Sequence, residues 1–388
     1  MFRIVAKELL DRISSKENKI LILLGARQVG KTTVLKNTFP KALYINLEKS
    51  DYIEIFNSRD TKKIDDLLKQ EGSNSNILIL DEAQRLKDPG LSAKVIFDEM
   101  PEVKLILSGS SSLELANRAG ESLAGREHTI KMFPLTLSEW LVQKGLLDSV
   151  NKTVFNINAS KDSRFQAEIK DCLKYGLYPQ TLNIENKEEY LLDLVDNSIL
   201  KDVYYLNLVK NTKNILSLLR LLAYQVGQQV NYSDLSTRIG ISRSTVSDYI
   251  EILKKTFVIF TLSPYTRKRR DEIGKTEKVY FYDLGIRNAI INDFTPVEYR
   301  KDFGNIFENF VISEIIKLNS YYLQRYKAYY WRTKWGSEVD LILSKDNLET
   351  AIEIKIRGGS VNSAFLNTYP NAKSVVLDFD NIGNFLIG

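Results

Sequence analysis

The chain has 388 residues, 44% hydrophobic and 27% charged, with a formal net charge of +5; at about two to three times the usual domain length it should contain several cores. One cysteine, Cys172, and one histidine, His128, exclude an internal disulfide and a His/Cys zinc cluster and leave little prospect of a His-based triad. Metal chemistry is left to oxygen ligands, which favours Mg²⁺ or Mn²⁺, and the modest positive charge permits nucleic-acid binding without requiring it.

The first 19 residues, charged throughout, read as an amphipathic helix and not as a signal peptide. No apolar run reaches the roughly 18 residues needed to cross a bilayer, so the expectation is a cytoplasmic protein with no membrane partner. Ile20–Leu24 has the pattern of a buried strand and runs into Gly25-x-x-x-x-Gly30-Lys31-Thr32 and then a helix. Such a loop curls so that successive backbone N–H groups face phosphate oxygens, while the lysine reaches the β and γ phosphates and the hydroxyl ligates Mg²⁺. Gly25, Ala26, Arg27, Gln28, Val29, Gly30, Lys31, Thr32 and Thr33 are therefore the expected ATP contacts.

"SNILILDEAQR" follows the same logic. Its apolar residues Ile77–Leu80 make a central parallel strand that carries Asp81 and Glu82 to the carboxyl edge, where ligands of open α/β sheets bind. Asp81 is expected to hold Mg²⁺ through water and Glu82 to polarise the attacking water. A third apolar strand in "VKLILSGSSS" ends at Ser108, Ser110 and Ser111, near the γ-phosphate position; ordinary turn chemistry would also place serines there.

These motifs, with "SLAGRE" and "FPLTLSEW", resemble the AAA+ group of P-loop ATPases, and in particular a bacterial and archaeal family with this sequence flavour. The resemblance implies an AAA+ core over 1–135 and a helical lid over 136–210. It also implies that Ser110 or a neighbouring hydroxyl is a sensor, and that Arg126 is an arginine finger acting in cis or from a neighbouring subunit. Arg118 is its rival, a surface arginine is the plainer reading, and a finger in trans would require a homo-oligomer.

Residues 214–262 read helix, helix, short turn, helix, strand. Ser233 and Ser242 stand at N-cap positions, Gly240 supplies the turn, and Val246, Ile250 and Leu253 form one apolar stripe. Arg243, Ser244, Thr245 and Asp248 are left at the exposed start of the third helix, the part that meets base edges in a helix-turn-helix. The segment 211–290 resembles a winged helix. Its wing would carry Arg267, Lys268, Arg269 and Arg270 for DNA phosphates, although winged helices also serve as protein-contact modules.

In "EVDLILSKDNLETAIEIK" strict alternation puts Glu338, Asp340 and Ile342 on one strand face and Val339, Leu341 and Leu343 on the other. On the partner strand Ile352, Ile354 and Ile356 are buried, so Asp340 and Glu353 can lie side by side, a repulsive pair unless a cation compensates. Lys355 shares the face of Glu353 and is placed to activate a water. Upstream, "FGNIFENFVISEIIKL" reads as an amphipathic helix with Phe307, Phe310, Val311 and Ile315 toward the core and Glu308 beside that stripe. Glu308, Asp340 and Glu353-x-Lys355 resemble the PD-(D/E)xK nuclease superfamily over 291–388, which implies a mixed sheet and a Mg²⁺ site held by the three carboxylates. A polar-faced hairpin has the same pattern, and Trp331 and Arg332 read equally as core and surface or as groove lining.

The whole is expected to be an α/β chain: a parallel P-loop sheet, helical lid, winged helix and mixed nuclease-like domain. Its function would be ATP hydrolysis coupled to duplex, branched or broken DNA with a Mg²⁺-dependent nuclease site, or alternatively a nucleotide-dependent DNA- or protein-binding switch with a non-catalytic nuclease-like fold.

Overall fold

The computed structural model describes residues 2–71, 75–109, 123–147, 163–199, 212–266 and 276–383. Ser110, Arg118, Arg267, Lys268, Arg269 and Arg270 lie outside the described residues. The chain divides into two compact units, Met1–Phe133 and Pro134–Gly388.

In the first unit the elements are α1 (Val5–Ile13), β1 (Ile20–Leu24), α2 (Lys31–Thr38), β2 (Leu43–Asn46), α3 (Ser50–Ser58), α4 (Thr61–Gln70), β3 (Ile77–Asp81), α5 (Pro89–Glu99), β4 (Lys104–Gly109) and β5 (Glu127–Lys131). The strands form one sheet in the order β2-β3-β4-β1-β5, every pairing parallel. All five residues of β1 are buried, the continuous apolar run of a parallel strand covered on both faces. Because β4 lies between β1 and β3, the loop after β1, the end of β3 and the end of β4 meet on one edge. Register fixes the neighbours: Leu80 faces Leu107, and Leu23 faces Ser108. A side chain at Gly25 would bring Cβ within 2.1 Å of the Met132 carbonyl oxygen, so only glycine lets the loop leave β1 beside the end of β5.

The second unit comprises α6 (Leu137–Gln143), α7 (Ser163–Tyr175), α8 (Lys187–Leu194), α9 (Thr212–Tyr224), α10 (Tyr232–Ile239), α11 (Arg243–Lys255), β6 (Ile259–Pro264), β7 (Lys278–Phe281), α12 (Leu284–Ile290), α13 (Phe303–Tyr321), β8 (Lys327–Arg332), β9 (Glu338–Lys345), β10 (Leu348–Ile354), α14 (Ser363–Thr368) and β11 (Lys373–Leu377). Its mixed sheet runs β11-β10-β9-β8-β6-β7. β6 pairs in parallel with β8, so strands from the segment expected to form a winged helix share one sheet with the carboxy-terminal strands. Leu341, Leu343, Ile352 and Ile354 pack with α13 in the main core, and Trp331, Val339, Ile342 and Ala351 pack with Phe365 of α14 in a second.

Three local expectations change. A register shift at Tyr329/Trp331 breaks strict alternation in β9, so Val339 packs with Ile342 and not with Leu341 and Leu343. Asn231, not Ser233, caps α10, its side chain accepting from the Ser233 and Asp234 N–H groups; an amide oxygen on the residue just before the helix body reaches those donors directly. Finally, α13 is not amphipathic but buried almost all round, including Asn309, Ser313, Glu314 and Lys317. Its polar residues have internal partners. Asn309 accepts from the Phe281 N–H at 2.7 Å and donates to its carbonyl at 2.9 Å. Lys317 pairs with Glu314 at 2.9 Å and donates to the Leu135 carbonyl, while Glu314 accepts from the Leu137 N–H.

Gly240 ends α10 in the left-handed conformation, φ 76°, and the Ser242 hydroxyl caps α11 by accepting from the Thr245 N–H at 3.1 Å. Val246, Ile250 and Leu253 are buried beneath α11.

Candidate functional site

The loop Gly25–Gly30 turns through two left-handed residues, Gln28 at φ 60° and Gly30 at φ 94°. Gly30 precedes α2 without any side-chain cap, so the first N–H groups of the helix face the loop and favour an anion. The Lys31 ammonium, almost fully buried, donates to the carbonyls of Gly25 at 2.7 Å and Ala26 at 2.8 Å. It is folded onto the loop it serves, where an incoming phosphate would compete for it. From the other side Arg3, which the sequence reading did not single out, donates to the carbonyls of Val29 and Phe133 at 2.7 Å each and braces the loop.

Asp81 ends β3 and is buried. Its Oδ2 accepts from the Thr32 hydroxyl at 2.7 Å and from the Tyr44 hydroxyl. Its Oδ1 accepts from the Ser108 hydroxyl at 2.6 Å and the Glu82 N–H at 3.0 Å. Burial alone would raise this carboxyl, but the bonds from Ser108, Tyr44, Thr32 and Glu82 hold it below its ordinary range. Burial and the adjacent Asp81 push the Tyr44 phenol well upward, so it stays a donor. Thr32 and Asp81 thus put a neutral oxygen and an ionised one side by side beside the loop, a donor set that suits a hard divalent cation. Glu82, left-handed at φ 57°, turns the chain at once and accepts from the Gln84 amide. Ser108, one position before the open edge, bonds Asp81 directly.

Tyr44 is invisible to motif reading, because its place beside Asp81 follows only from the pairing of β2 with β3, Asn46 opposite Asp81. Arg126 is placed differently from expectation. Its carbonyl accepts from the Ile20 N–H at 2.9 Å, at the amino end of β1, and its guanidinium meets Asp98 at 3.3 Å. Five residues of strand, about 15 Å, separate that end from the phosphate loop, so Arg126 does not serve its own chain's site.

A second polar cluster lies in the other unit. Lys355 pairs with Glu353 at 2.7 Å and with Asp340 at 3.8 Å, and Asp340 Oδ2 accepts from the Ile354 N–H at 2.8 Å. The two carboxylates do come together, and Glu353 Oε2 is buried with no hydrogen-bond partner. Glu308 is held elsewhere: it accepts from the Tyr280 hydroxyl at 2.7 Å and pairs with Lys278 at 3.2 Å. Lys278 also pairs with Glu338, and Glu338 with Arg332 at 3.3 Å. Burial raises Glu308 to about 7, with Lys278 opposing and Asp340 adding to the shift. Burial likewise raises Asp340 and Glu353, the latter helped by Asp340.

Among the described residues no three carboxylates, imidazoles or thiolates gather as a metal-binding set. The expected trio of Glu308, Asp340 and Glu353 does not form one, because Lys278 supplies the positive charge that Glu308 needs. A lone lysine opening the apolar run "KVYF" was the available signal for it. Along α11, Arg243, Ser244 and Asp248 are exposed and Thr245 is half-buried. Among the described residues no helix is long and apolar enough to cross a membrane.

Residues 17–141 match a family described as an AAA domain, and residues 166–296 and 303–380 match two domains of unknown function, DUF8612 and DUF4143. An uncharacterized protein of Mycobacterium tuberculosis is 25% identical over 342 residues, 87% of this chain and 70% of its own length. One of Methanocaldococcus jannaschii is 25% identical over 337 residues, 79% of this chain and 70% of its own length. Among solved structures, a signal transduction ATPase with numerous domains and a tetratricopeptide repeat sensor, from Pyrococcus horikoshii, superposes with a TM-score of 0.32 at 14% identity, over 84% of this chain. The alignment spans about half of that protein, 48%. AMPPCP-bound DnaA from Aquifex aeolicus gives 0.25 at 18% identity, over 64% of this chain and 86% of that one; superpositions this poor carry no weight for function. The matched AAA domain, together with the parallel sheet and its phosphate-loop edge, supports an AAA+ ATPase family and a nucleotide-dependent activity.

Proposed function

We propose that the protein is an ATP-hydrolysing switch that engages DNA. The observation that carries the ATPase reading is the convergence of Lys31, Thr32, Asp81, Glu82 and Ser108 on one sheet edge. ATP entering the loop draws the Lys31 ammonium from the Gly25 and Ala26 carbonyls onto the phosphates. Thr32 and Asp81 are the residues that would hold Mg²⁺, whose charge would offset that developing on the transferred phosphoryl group. Glu82, next to Asp81 in the chain, orients the attacking water, and Ser108 keeps Asp81 turned toward Thr32. Since Arg126 stands at the far end of its own sheet, it could act at this site only from a second copy. Lys31→Ala is expected to lose ATP binding, whereas Glu82→Gln binds ATP and hydrolyses it poorly. Normal turnover in both would refute the site.

DNA engagement is supported by the exposed Arg243 and Ser244 at the capped start of α11, in the position where a helix-turn-helix meets base edges, and by the basic run Arg267, Lys268, Arg269 and Arg270 in the sequence. Affinity for a duplex should fall with rising salt and weaken in Arg243→Ala.

A second reading, Mg²⁺-dependent phosphodiester cleavage, is favoured by the orphaned Glu353 Oε2, on a residue whose other oxygen shares the Lys355 ammonium with Asp340. Asp340 and Glu353 would hold the ion, which would polarise the phosphate, and Lys355 would orient a water. Under this reading Asp340→Ala abolishes cutting. No nicking of linear, flapped and four-way DNA by the unaltered protein with Mg²⁺ or Mn²⁺ leaves the switch alone.

A further inference from the structure

We propose that the tip of the β8–β9 hairpin is a contact for single-stranded DNA, with the Trp335 indole stacking on an unpaired base and Arg332 and Lys334 meeting the phosphates beside it. The inference rests on the DNA-engaging reading above and names the form of DNA that the second unit takes.

Trp335 is 95% exposed, while the other two tryptophans, Trp140 and Trp331, are 0% and 7% exposed. An indole in water forfeits the contact area that makes tryptophan useful. Nothing about the hairpin forces it outward as a by-product of a loose chain end. The turn is built: the Thr333 N–H donates to the Ser337 carbonyl at 2.8 Å, the Gly336 N–H to the Thr333 carbonyl at 3.2 Å, and the Ser337 N–H to the Thr333 hydroxyl at 3.1 Å. Gly336 adopts φ 89°, which other residues rarely do, so the ring stands on a hydrogen-bonded platform.

The surroundings select the partner. Lys334 and Arg332 are exposed, whereas Thr333, Gly336 and Ser337 offer no apolar surface. A protein partner that buried the indole would call for a contiguous apolar patch, and residues 332–337 carry no large apolar side chain besides Trp335. An unpaired base offers a flat π face of the right size with phosphates beside it, matching one exposed indole next to Lys334 and to Arg332, whose guanidinium is shared with Glu338. Bases within a duplex are already stacked and present no such face. Two residues beyond the tip Glu338 pairs with Arg332 and Lys278, and Asp340 follows.

The test uses the full chain, a (dT)20 oligonucleotide and a blunt duplex of equal length. Binding is followed by anisotropy of labelled DNA and, in parallel, by tryptophan emission, with Trp335→Phe subtracted to isolate Trp335. Thermal melting by circular dichroism checks that each variant is folded. The expected result is quenching of Trp335 emission by (dT)20, affinity about ten- to a hundred-fold weaker in Trp335→Ala, partial retention in Trp335→Phe, and duplex affinity unchanged by either. Equal (dT)20 affinity in Trp335→Ala and the unaltered protein overturns the proposal, as does binding without quenching. A blue shift of Trp335 with protein concentration alone, matched by self-association in sedimentation, overturns it too and assigns the tip to a second copy. Loss of duplex recognition by α11 is read separately through Arg243→Ala: duplex binding indifferent to that change refutes the helix assignment while leaving the (dT)20 result to stand or fall alone.

Discussion

Replacing Tyr44 by phenylalanine removes one hydroxyl and leaves the ring, which lies under the Lys36 ammonium at 4.2 Å. Asp81 keeps three donors, Thr32, Ser108 and the Glu82 N–H, but its Oδ2 is then held by Thr32 alone. A hydrogen bond to a buried charge contributes about 1.5–3 kcal/mol. Tyr44 is itself half-buried, so solvent screens part of that and about 1.5–2 kcal/mol is the appropriate share. If the hydroxyl orients the carboxylate for catalysis, that share appears in the barrier, and turnover falls by about ten- to thirty-fold. Steady-state ATP hydrolysis measured across a Mg²⁺ series should show a higher half-saturating Mg²⁺ concentration in Tyr44→Phe, with part of the rate recovered at high Mg²⁺. Turnover and Mg²⁺ dependence matching the unaltered protein would refute the claim that Asp81 is oriented by Tyr44.

Lys317→Ala leaves Glu314 buried without its cation and the Leu135 carbonyl without its donor. Stability of the second unit should fall by about 3–5 kcal/mol in urea denaturation, whereas Glu314→Leu with Lys317→Met should be far milder; the reverse order would contradict the assignment. A methyl group at Gly25 meets the Met132 carbonyl, so Gly25→Ala should lose ATP binding as measured by calorimetry, and unaltered affinity would contradict the close approach. The two units should respond oppositely to pH. Glu308 is raised to about 7, so its contribution is fully present below the ordinary carboxylate range and is lost as pH climbs toward 7, and Asp340 and Glu353, also raised, act in the same direction. Asp81 is lowered, so its contribution is present at neutral pH and disappears on acidification below that range. Melting curves of the full chain should show the second unit weakening from pH 5 to 8, and constant melting across that window would refute the shifts.

The phosphate loop was legible in the residues alone because its chemistry is local: glycines, a lysine and a hydroxyl at fixed spacing between a buried strand and a helix can do little else. Asp81 was legible for the same reason, as a carboxylate at the end of a continuous apolar strand. Strand order was not local. Only the insertion of β4 between β1 and β3, and of β3 beside β2, brought Ser108 and Tyr44 to Asp81, and only parallel register put Arg126 at the wrong end to serve its own site. In the second unit Asp340 and Glu353 both reach Lys355, but the strict alternation from which they were placed side by side does not hold in β9. What alternation cannot register is a bulge, or which residue neutralises a buried charge. The bulge moved Val339 to the face of Ile342, and Lys278, more than sixty positions before Asp340 in the chain, reached Glu308 and Glu338 through the sheet. Charge compensation in a low-dielectric interior is settled by whichever cation the fold brings within hydrogen-bonding distance, and that distance is a property of the tertiary structure.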